Sequence, residues 1–262
     1  QKRFFDCFLK DDDSGWKDQP RVSLNVRSEG EKFYLRGEED WPIPRTEWTK
    51  FYLKSDGHLL SPQEQVGEEN ISYKSTGDGV TFVSNPMEKD TEFCGPIASK
   101  IWVSSDTKDA DLFLVVRVFT PDFKEVVFHG ALDPHTPVAS GWLRASHRAL
   151  DKDRSTEWAP FHTHKKAEPL TPGEIYELDI EIHASGMVIP EGYRVALSIR
   201  GRDYVYPGEP DAGLSNMKNQ FTGVGPFLHD DLNNRPEDVF DNQVTIHIGP
   251  DRPSYLLLPI VS

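Results

Sequence analysis

The strongest constraint on the fold is a set of ten short segments in which polar and apolar residues alternate. In the first, residues 21–27, Val22, Leu24 and Val26 fall on one face of an extended chain, because successive side chains of a β-strand point to opposite sides. The other nine segments are 49–53, 80–83, 100–104, 112–119, 125–129, 177–182, 194–200, 244–248 and 254–258. Each is typical of a strand with one buried face.

Proline and glycine bound nearly all of these segments, as expected if turns join them. They occur as Gly95-Pro96, Pro121-Asp122, Pro172-Gly173, Pro190-Glu191-Gly192 and Gly249-Pro250. Many short strands with turn signals between them indicate a β-sandwich, and their wide separation in sequence favours jelly-roll crossings over a chain of hairpins. We predict an all-β, jelly-roll fold.

The first ten residues follow a different period. Phe4, Phe5, Phe8 and Leu9 form two i,i+4 pairs on one stripe of a helix, and the acidic run 11–15 ends it. No capping residue and no initiating Met precede the stripe. The rest of the chain contains almost no other helical pattern against which this stripe could pack. We expect a helix from a larger protein.

Charge and composition exclude several classes of partner. The net charge of −14, with no cluster of Lys and Arg, disfavours nucleic acid and anionic membranes. The longest apolar stretches are too short to span a bilayer, and no signal peptide is visible. Two cysteines, Cys7 and Cys94, make no disulfide framework. We therefore expect a cytoplasmic protein.

Two long stretches, 147–172 and 203–241, are rich in Pro, Asp, Asn and Gly. They are expected to be irregular excursions from the sandwich, where function is usually carried.

No serine has the surroundings of a hydrolase nucleophile. The α/β-hydrolase elbow needs Gly-x-Ser-x-Gly, which the chain lacks. Ser140 has glycine on one side only, while Ser104 and Ser105 have none near them. We interpret these serines as strand-edge or turn residues and predict no catalytic residue in this chain.

Several histidine and aspartate residues have a spacing that could suit a metal ion. His162 and His164 alternate along an extended segment and could share one ion, with His147 or Asp151 folding back as a third ligand. Loop histidines bonded to backbone carbonyls are commoner. The groups Asp11-x-Asp13-x-Gly15 and Asp106, Asp109, Asp111 could hold calcium or simply form turns. We predict no metal and no cofactor.

Aromatic residues on loops offer a carbohydrate-binding alternative. The candidates are Trp41, Trp48, Trp142, Trp158, Tyr204 and Tyr206. Such residues also commonly close the ends of a core. Trp158, Tyr204 and Tyr206 are the predicted ligand-facing residues.

Seven stretches in order resemble a known family: the C-terminal, non-catalytic domain of X-Pro dipeptidyl-peptidase and cocaine-esterase-like (CocE/NonD) serine hydrolases. They are residues 3–10 with Gly15-Trp16, Asp40-Trp-Pro-Ile-Pro-Arg-Thr46, Asp90-Thr-Glu-Phe-Cys-Gly-Pro96, Trp102-Val-Ser-Ser-Asp106 with Asp109-Ala-Asp111, Gly141-Trp-Leu-Arg-Ala-Ser-His-Arg148, Leu170-Thr-Pro-Gly-Glu174, and Gly249-Pro-Asp-Arg-Pro-Ser-Tyr255 leading to Leu258-Pro-Ile260. Each motif alone is weak, but the ordered set is specific.

The resemblance implies a galactose-binding-like jelly roll that follows an α/β-hydrolase domain carrying the Ser, Asp and His triad. Residues 1–18 would then be the last helix and linker of the hydrolase domain, and residues 19–262 the jelly roll. Phe4, Phe5, Phe8 and Leu9 would face the missing hydrolase domain, which is the implied partner. Some relatives also use this domain to line the substrate pocket.

The sequence departs from the family pattern at three places. Phe123 replaces the usual glycine of a Pro-Asp-Gly turn, and Ser185-Gly186 replaces Thr-Ser. The region 61–79 lacks a longer Gly-rich insert that some esterase-like relatives carry.

Two functions therefore remain: an accessory domain of a serine hydrolase that is inactive alone, or an independent carbohydrate-binding or protein-interaction module. If the chain is an accessory domain, its N-terminal helix lacks the hydrolase domain as a partner. The helix would then pack on a second copy of the chain and form a homo-oligomer, or become disordered.

Overall fold

A computed structural model describes residues 1–130, 133–208, 222–226 and 228–262, and these residues form an all-β fold with two short helices. The helices are α1 (Lys2–Lys10) and α2 (Glu237–Phe240). The strands are β1 (Val22–Ser28), β2 (Lys32–Glu38), β3 (Thr46–Lys54), β4 (Leu59–Ser61), β5 (Glu69–Lys74), β6 (Val80–Ser84), β7 (Thr91–Ser105), β8 (Asp111–Phe119), β9 (Glu125–Val126), β10 (Ala139–Arg144), β11 (Tyr176–Ile189), β12 (Arg194–Arg200), β13 (Gln243–Ile248) and β14 (Tyr255–Val261).

The alternating segments all contain strands, and the N-terminal stripe is a helix. Two strands, β7 and β11, extend well beyond the predicted segments. The predicted strand 125–129 is wrong in its extent: β9 ends at Val126, and Phe128 makes only an isolated bridge with Thr136. Four strands, β2, β4, β5 and β10, were not predicted. The jelly-roll, galactose-binding-like description of this all-β fold stays a prediction.

The strands form a strongly curled sheet. Its main path runs β10-β8-β12-β6-β4-β3-β14-β7-β11-β1-β2, while β13 connects β5 to β7. Within that path β10 and β11 are far apart, yet their backbones touch at Gly141. A Cβ at this position would lie 2.1 Å from the Glu181 carbonyl oxygen and 2.8 Å from Ile182 Cα. The curled sheet therefore closes on itself at Gly141.

The core lies inside this closed wall. Inward-facing residues of β8 (Leu112, Leu114, Val116 and Val118) are fully buried in it. Phe113 and Val115 point to the opposite face of β8 and are also buried. Strand β8 is thus covered on both sides, which explains its nearly continuous apolar sequence. The prediction of a single buried face is wrong for segment 112–119.

The excursion 147–172 contains no strand among its residues and lies against β10 and the turn before β8. Backbone hydrogen bonds join Glu168 to Ser146 and Leu170 to Lys108, each at 2.7 Å. The Arg148 guanidinium also donates to the Glu168 carbonyl oxygen. The excursion is irregular, as predicted, but it is firmly tied to the sheet.

The hairpin of β1 and β2 projects from the end of the sheet. It is joined to β11 by a parallel pairing at Arg27 and Met187. Ion pairs strengthen the joint: Arg36 of β2 bonds both carboxylate oxygens of Glu92 on β7, at 2.6 and 2.5 Å.

Both cysteines are free and buried. Burial is the main reason that the pKa of Cys94 rises to about 11, so its thiol is protonated at neutral pH. No helix among the described residues is long and apolar enough to cross a membrane.

Closure at Gly141 generates a stability prediction. Gly141→Ala would push a methyl group into rigid backbone and should destabilise the fold by about 3 kcal/mol. The matched control is Gly67→Ala, because a Cβ at Gly67 meets no atom within 4 Å; its effect should stay within about 1 kcal/mol. Urea unfolding followed by circular dichroism measures both. Equal effects of the two substitutions would show that the contact at Gly141 does not constrain the sheet.

Candidate functional site

Helix α1 is held at both ends by local interactions. Lys2 and Lys10 flank Asp6 one turn away on either side and both bond its carboxylate. These hydrogen bonds, that of Lys10 first, hold the pKa of Asp6 below its usual range. At the C-terminus Asp11 adopts a left-handed conformation, and the Asp12 backbone N–H donates to the Asp6 carbonyl oxygen. The helix is thereby ended where the sequence predicts.

One face of α1 is apolar and open. The exposed fractions of Phe4, Phe5, Phe8 and Leu9 are 39, 50, 56 and 76%, while Cys7 is buried. With 100° between successive helical residues, Phe4 lies on the side of Cys7 and Leu9 lies nearly opposite. The helix thus rests on the protein by its Cys7 edge and leaves the predicted stripe uncovered.

The side chains of the open stripe make contacts with one another and with the segment that follows the helix. The Phe4 ring contacts Phe8 at a centroid distance of 4.8 Å and Trp16 at 5.2 Å, and Ser14 Oγ donates to the Arg3 carbonyl oxygen. The segment after the helix therefore folds back over Phe4. We call the four side chains Phe4, Phe5, Phe8 and Leu9 the α1 face.

A second exposed apolar group lies on the projecting hairpin. Phe33, Tyr34 and Leu35 of β2 are 65, 45 and 72% exposed. Exposed apolar residues on a strand at the end of a sheet are unusual, because such edges attract other chains. This group was not predicted, although its three large residues stand next to one another in the sequence.

The predicted ligand-facing aromatics occupy two separate places. Trp158 stacks on Trp48 of β3, with ring centroids 5.3 Å apart and planes inclined by 10°. The neighbouring Glu157 bonds Lys50 and Tyr255. The Trp158 loop is therefore fastened to the β3–β14 side of the sheet.

Tyr204 lies in a different place from Trp158, against the outer face of β8. It is 2% exposed, and its hydroxyl donates to Glu125 Oε1 at 2.8 Å. Burial, with the Glu125 charge adding, raises the pKa of Tyr204 well above its usual value. Arg117 holds the same carboxylate through two hydrogen bonds. Tyr206 stacks on His135, with centroids 4.3 Å apart.

Tyr204 also lines a cavity of about 620 Å³ on the outer face of β8 and β10. Phe113, Trp142 and Val224 supply apolar lining, and the His229–Asp203 pair, with Nδ1 and Oδ1 2.9 Å apart, supplies polar lining. Neither Trp158 nor Tyr206 is among its described lining residues. The roles of Trp158, Tyr204 and Tyr206 as ligand-facing residues stay predictions.

A second cavity, of about 410 Å³, lies beside the first, across Trp142 and His183, which line both. It is lined by His147, His162, His164 and Glu181 in addition. Ring centroids of His147 and His164 are 5.6 Å apart, and those of His162 and His164 are 5.9 Å apart. His147 therefore folds back towards the His162-x-His164 pair, one of the two possibilities, with Asp151, that the sequence leaves open for a third ligand.

Burial is the main cause that lowers the pKa of His162, and the neighbouring His164 adds to it. A backbone hydrogen bond to Asp179 acts in the opposite direction. His164 itself has a backbone φ of 48°, a left-handed conformation that histidine adopts more readily than most residues.

Three of the serines and aspartates considered as site residues, Ser104, Ser105 and Asp109, have structural partners. Ser104 Oγ lies 2.9 Å from His247 Nε2 across the β7–β13 ladder, but no carboxylate among the described residues bonds that ring. Ser105 bonds the Asp109 carbonyl oxygen. Asp109 accepts hydrogen bonds from the backbone N–H groups of Ala110 and Ser146. This geometry serves the turn before β8.

Comparison with known proteins gives a consistent picture. Residues 14–257 match the family model of the X-Pro dipeptidyl-peptidase C-terminal non-catalytic domain. A CocE/NonD family hydrolase from Staphylococcus aureus is 29% identical with a TM-score of 0.83, over 100% of this chain and 45% of that one. Cocaine esterase from Rhodococcus sp. (strain MB1 Bresler) is 22% identical over 99% of this chain and 45% of its own.

A more distant structure shares the fold alone: an aminopeptidase from the marine sediment archaeon Thaumarchaeota archaeon, with 13% identity and a TM-score of 0.66. The chain thus spans less than half the length of these relatives.

Proposed function

Because this chain belongs to the family of X-Pro dipeptidyl-peptidase C-terminal non-catalytic domains, we propose that it is the accessory domain of a CocE/NonD-type serine hydrolase. In this proposal the chain docks on an α/β-hydrolase domain and supplies no residue of the catalytic triad. Esters, amides or peptides are the substrate class of the whole enzyme. The relatives support it by name, since they include an esterase and a hydrolase of this type.

The observation that carries the proposal is the open α1 face. Complete burial of one Phe or Leu side chain stabilises a complex by about 1.5–3 kcal/mol. Four such side chains on one helix, each 39% exposed or more, leave a surface that a monomer in water does not favour. A second domain that covers this face would gain several kcal/mol.

The hairpin residues Phe33 and Leu35 form a second exposed apolar surface that a neighbouring domain could cover. They project at the end of the sheet where Arg36 and Glu92 hold the hairpin in position. A rigid hairpin with an apolar surface suits contact with a neighbouring domain. We assign it to the docking surface of the accessory domain, and lining of the hydrolase pocket is its further proposed role.

The carbohydrate-binding alternative gains no support from the contacts of Trp158 and Tyr204. Trp158 lies against β3 and Tyr204 lies against β8, with three strands between them in the sheet order. Sugar-binding platforms need aromatic faces that one ligand can reach together. A glycan array tests this alternative directly.

We predict that the chain alone is inactive. It should not hydrolyse p-nitrophenyl acetate above the buffer rate, and no serine should react with a fluorophosphonate probe, because no Ser–His pair in the described residues has a carboxylate bonded to its histidine. Intact-protein mass spectrometry reports the labelling. One probe bound per chain, lost in Ser104→Ala, would contradict the non-catalytic assignment.

We also predict that the chain self-associates in solution through its α1 face. The double variant Phe8→Ser/Leu9→Ser should be monomeric, because it removes two of the most exposed residues of that face. The matched control is Val66→Ser/Leu232→Ser, whose apolar residues are 93 and 64% exposed elsewhere.

Sedimentation equilibrium over a range of concentrations measures the effect. We expect the wild-type chain and the control variant to gain mass with concentration, and the α1 variant to keep the monomer mass. An identical mass for all three proteins would show that the α1 face does not drive association.

A further inference from the structure

We propose that His147, His162 and His164 form a binding site for a divalent transition-metal ion such as Zn²⁺, with Glu181 as the fourth ligand. The site lies in the 410 Å³ cavity beside Trp142. This proposal replaces the prediction, made from the sequence, that the chain holds no metal. The site is separate from the α1 face and does not depend on the proposed accessory role.

The spacing of the rings suits a shared ion. Two imidazoles bound to one Zn²⁺ at about 2.1 Å have ring centroids roughly 5 Å apart. The observed separations are 5.6 Å between His147 and His164 and 5.9 Å between His162 and His164. The described residues contain no preformed set of three donors around one point, so binding requires the rings to turn until their nitrogens meet at one ion.

Two ring nitrogens in the cluster lack a partner that a buried polar atom normally has. Nδ1 of His147 and Nε2 of His162 are buried and form no hydrogen bond with any described residue. Burying an unpaired polar atom costs free energy. A metal ion would satisfy both atoms, since neutral imidazole binds through a free nitrogen lone pair.

Nearby charges favour a cation. On β11, Glu177, Asp179, Glu181 and His183 alternate along one face of the strand, and Glu181 lines the cavity. Arg144, the cation in the lining, is already committed to both carboxylate oxygens of Asp111. A combination of imidazole and carboxylate ligands is typical of zinc sites.

The ion would clamp the excursion 147–172 to the sheet. His147 ends the short 3₁₀ turn that follows β10, while His162 pairs with Leu150 through an isolated bridge. His164 is placed by its left-handed backbone, with φ of 48°. One ion would join both sides of this loop, and Glu181 would link it to β11.

The test is isothermal titration of the metal-free chain with ZnCl₂ near neutral pH. We expect one ion per chain and binding at least about tenfold weaker in His162→Ala and His164→Ala, because even indirect supporting residues of metal sites change affinity by that factor. The matched control is His58→Ala. His58 is exposed, has φ of 50°, and contacts Phe82 instead of another histidine.

Cobalt substitution provides a second readout. Co²⁺ in a tetrahedral site absorbs visible light more strongly than the hexaaquo ion, so wild type and His58→Ala should turn coloured, and the cluster variants should not. Circular dichroism checks that each variant is folded. If His162→Ala does not fold, the variant His164→Ala decides the test, because His164 is exposed. Absence of binding, or binding unchanged in His164→Ala, would overturn the proposal.

Discussion

The contact of β10 with β11 at Gly141 organises the molecule. It closes the curled sheet, so that the inward-facing residues of β8 are buried in the core. The outer face of β8 carries apolar residues too, and these are also buried. Described residues of both excursions contact this closed sheet. One covers Phe113 through Tyr204 and His229, and the other brings His147 to the His162-x-His164 pair. Both cavities meet at Trp142, the residue after the closing glycine.

The apolar core of this fold is enclosed, but two apolar groups on its surface are not covered. Strands, excursions and the hairpin are joined by backbone ladders and ion pairs, whereas the α1 face and the hairpin residues Phe33 and Leu35 remain uncovered. In a family defined as a non-catalytic domain, such an uneven distribution of apolar surface is what an accessory domain requires. Its free energy of docking would come from burial of side chains that contribute nothing to its own core.

The sequence predicted elements whose stability is local or whose pattern has one buried face. The α1 stripe and segments such as 194–200 are of this kind. It did not predict β2, because Phe33 and Leu35 face solvent and the strand is stabilised by β1 and the distant Glu92. The burial of Tyr204 was likewise hidden, because it depends on Glu125, 79 residues away. The return of His147 to His164 was open for the same reason: it requires the turn after β10.

The central claim is that the α1 face docks on a hydrolase domain. The most direct measurement is calorimetric titration of this chain into the α/β-hydrolase domain that we propose as its partner, with the two produced as separate polypeptides. The account predicts a one-to-one complex that Phe8→Ser/Leu9→Ser weakens by at least about 100-fold, since two buried apolar side chains contribute roughly 3 kcal/mol or more. An absence of binding, or equal affinity for the wild-type chain and this variant, would contradict the claim.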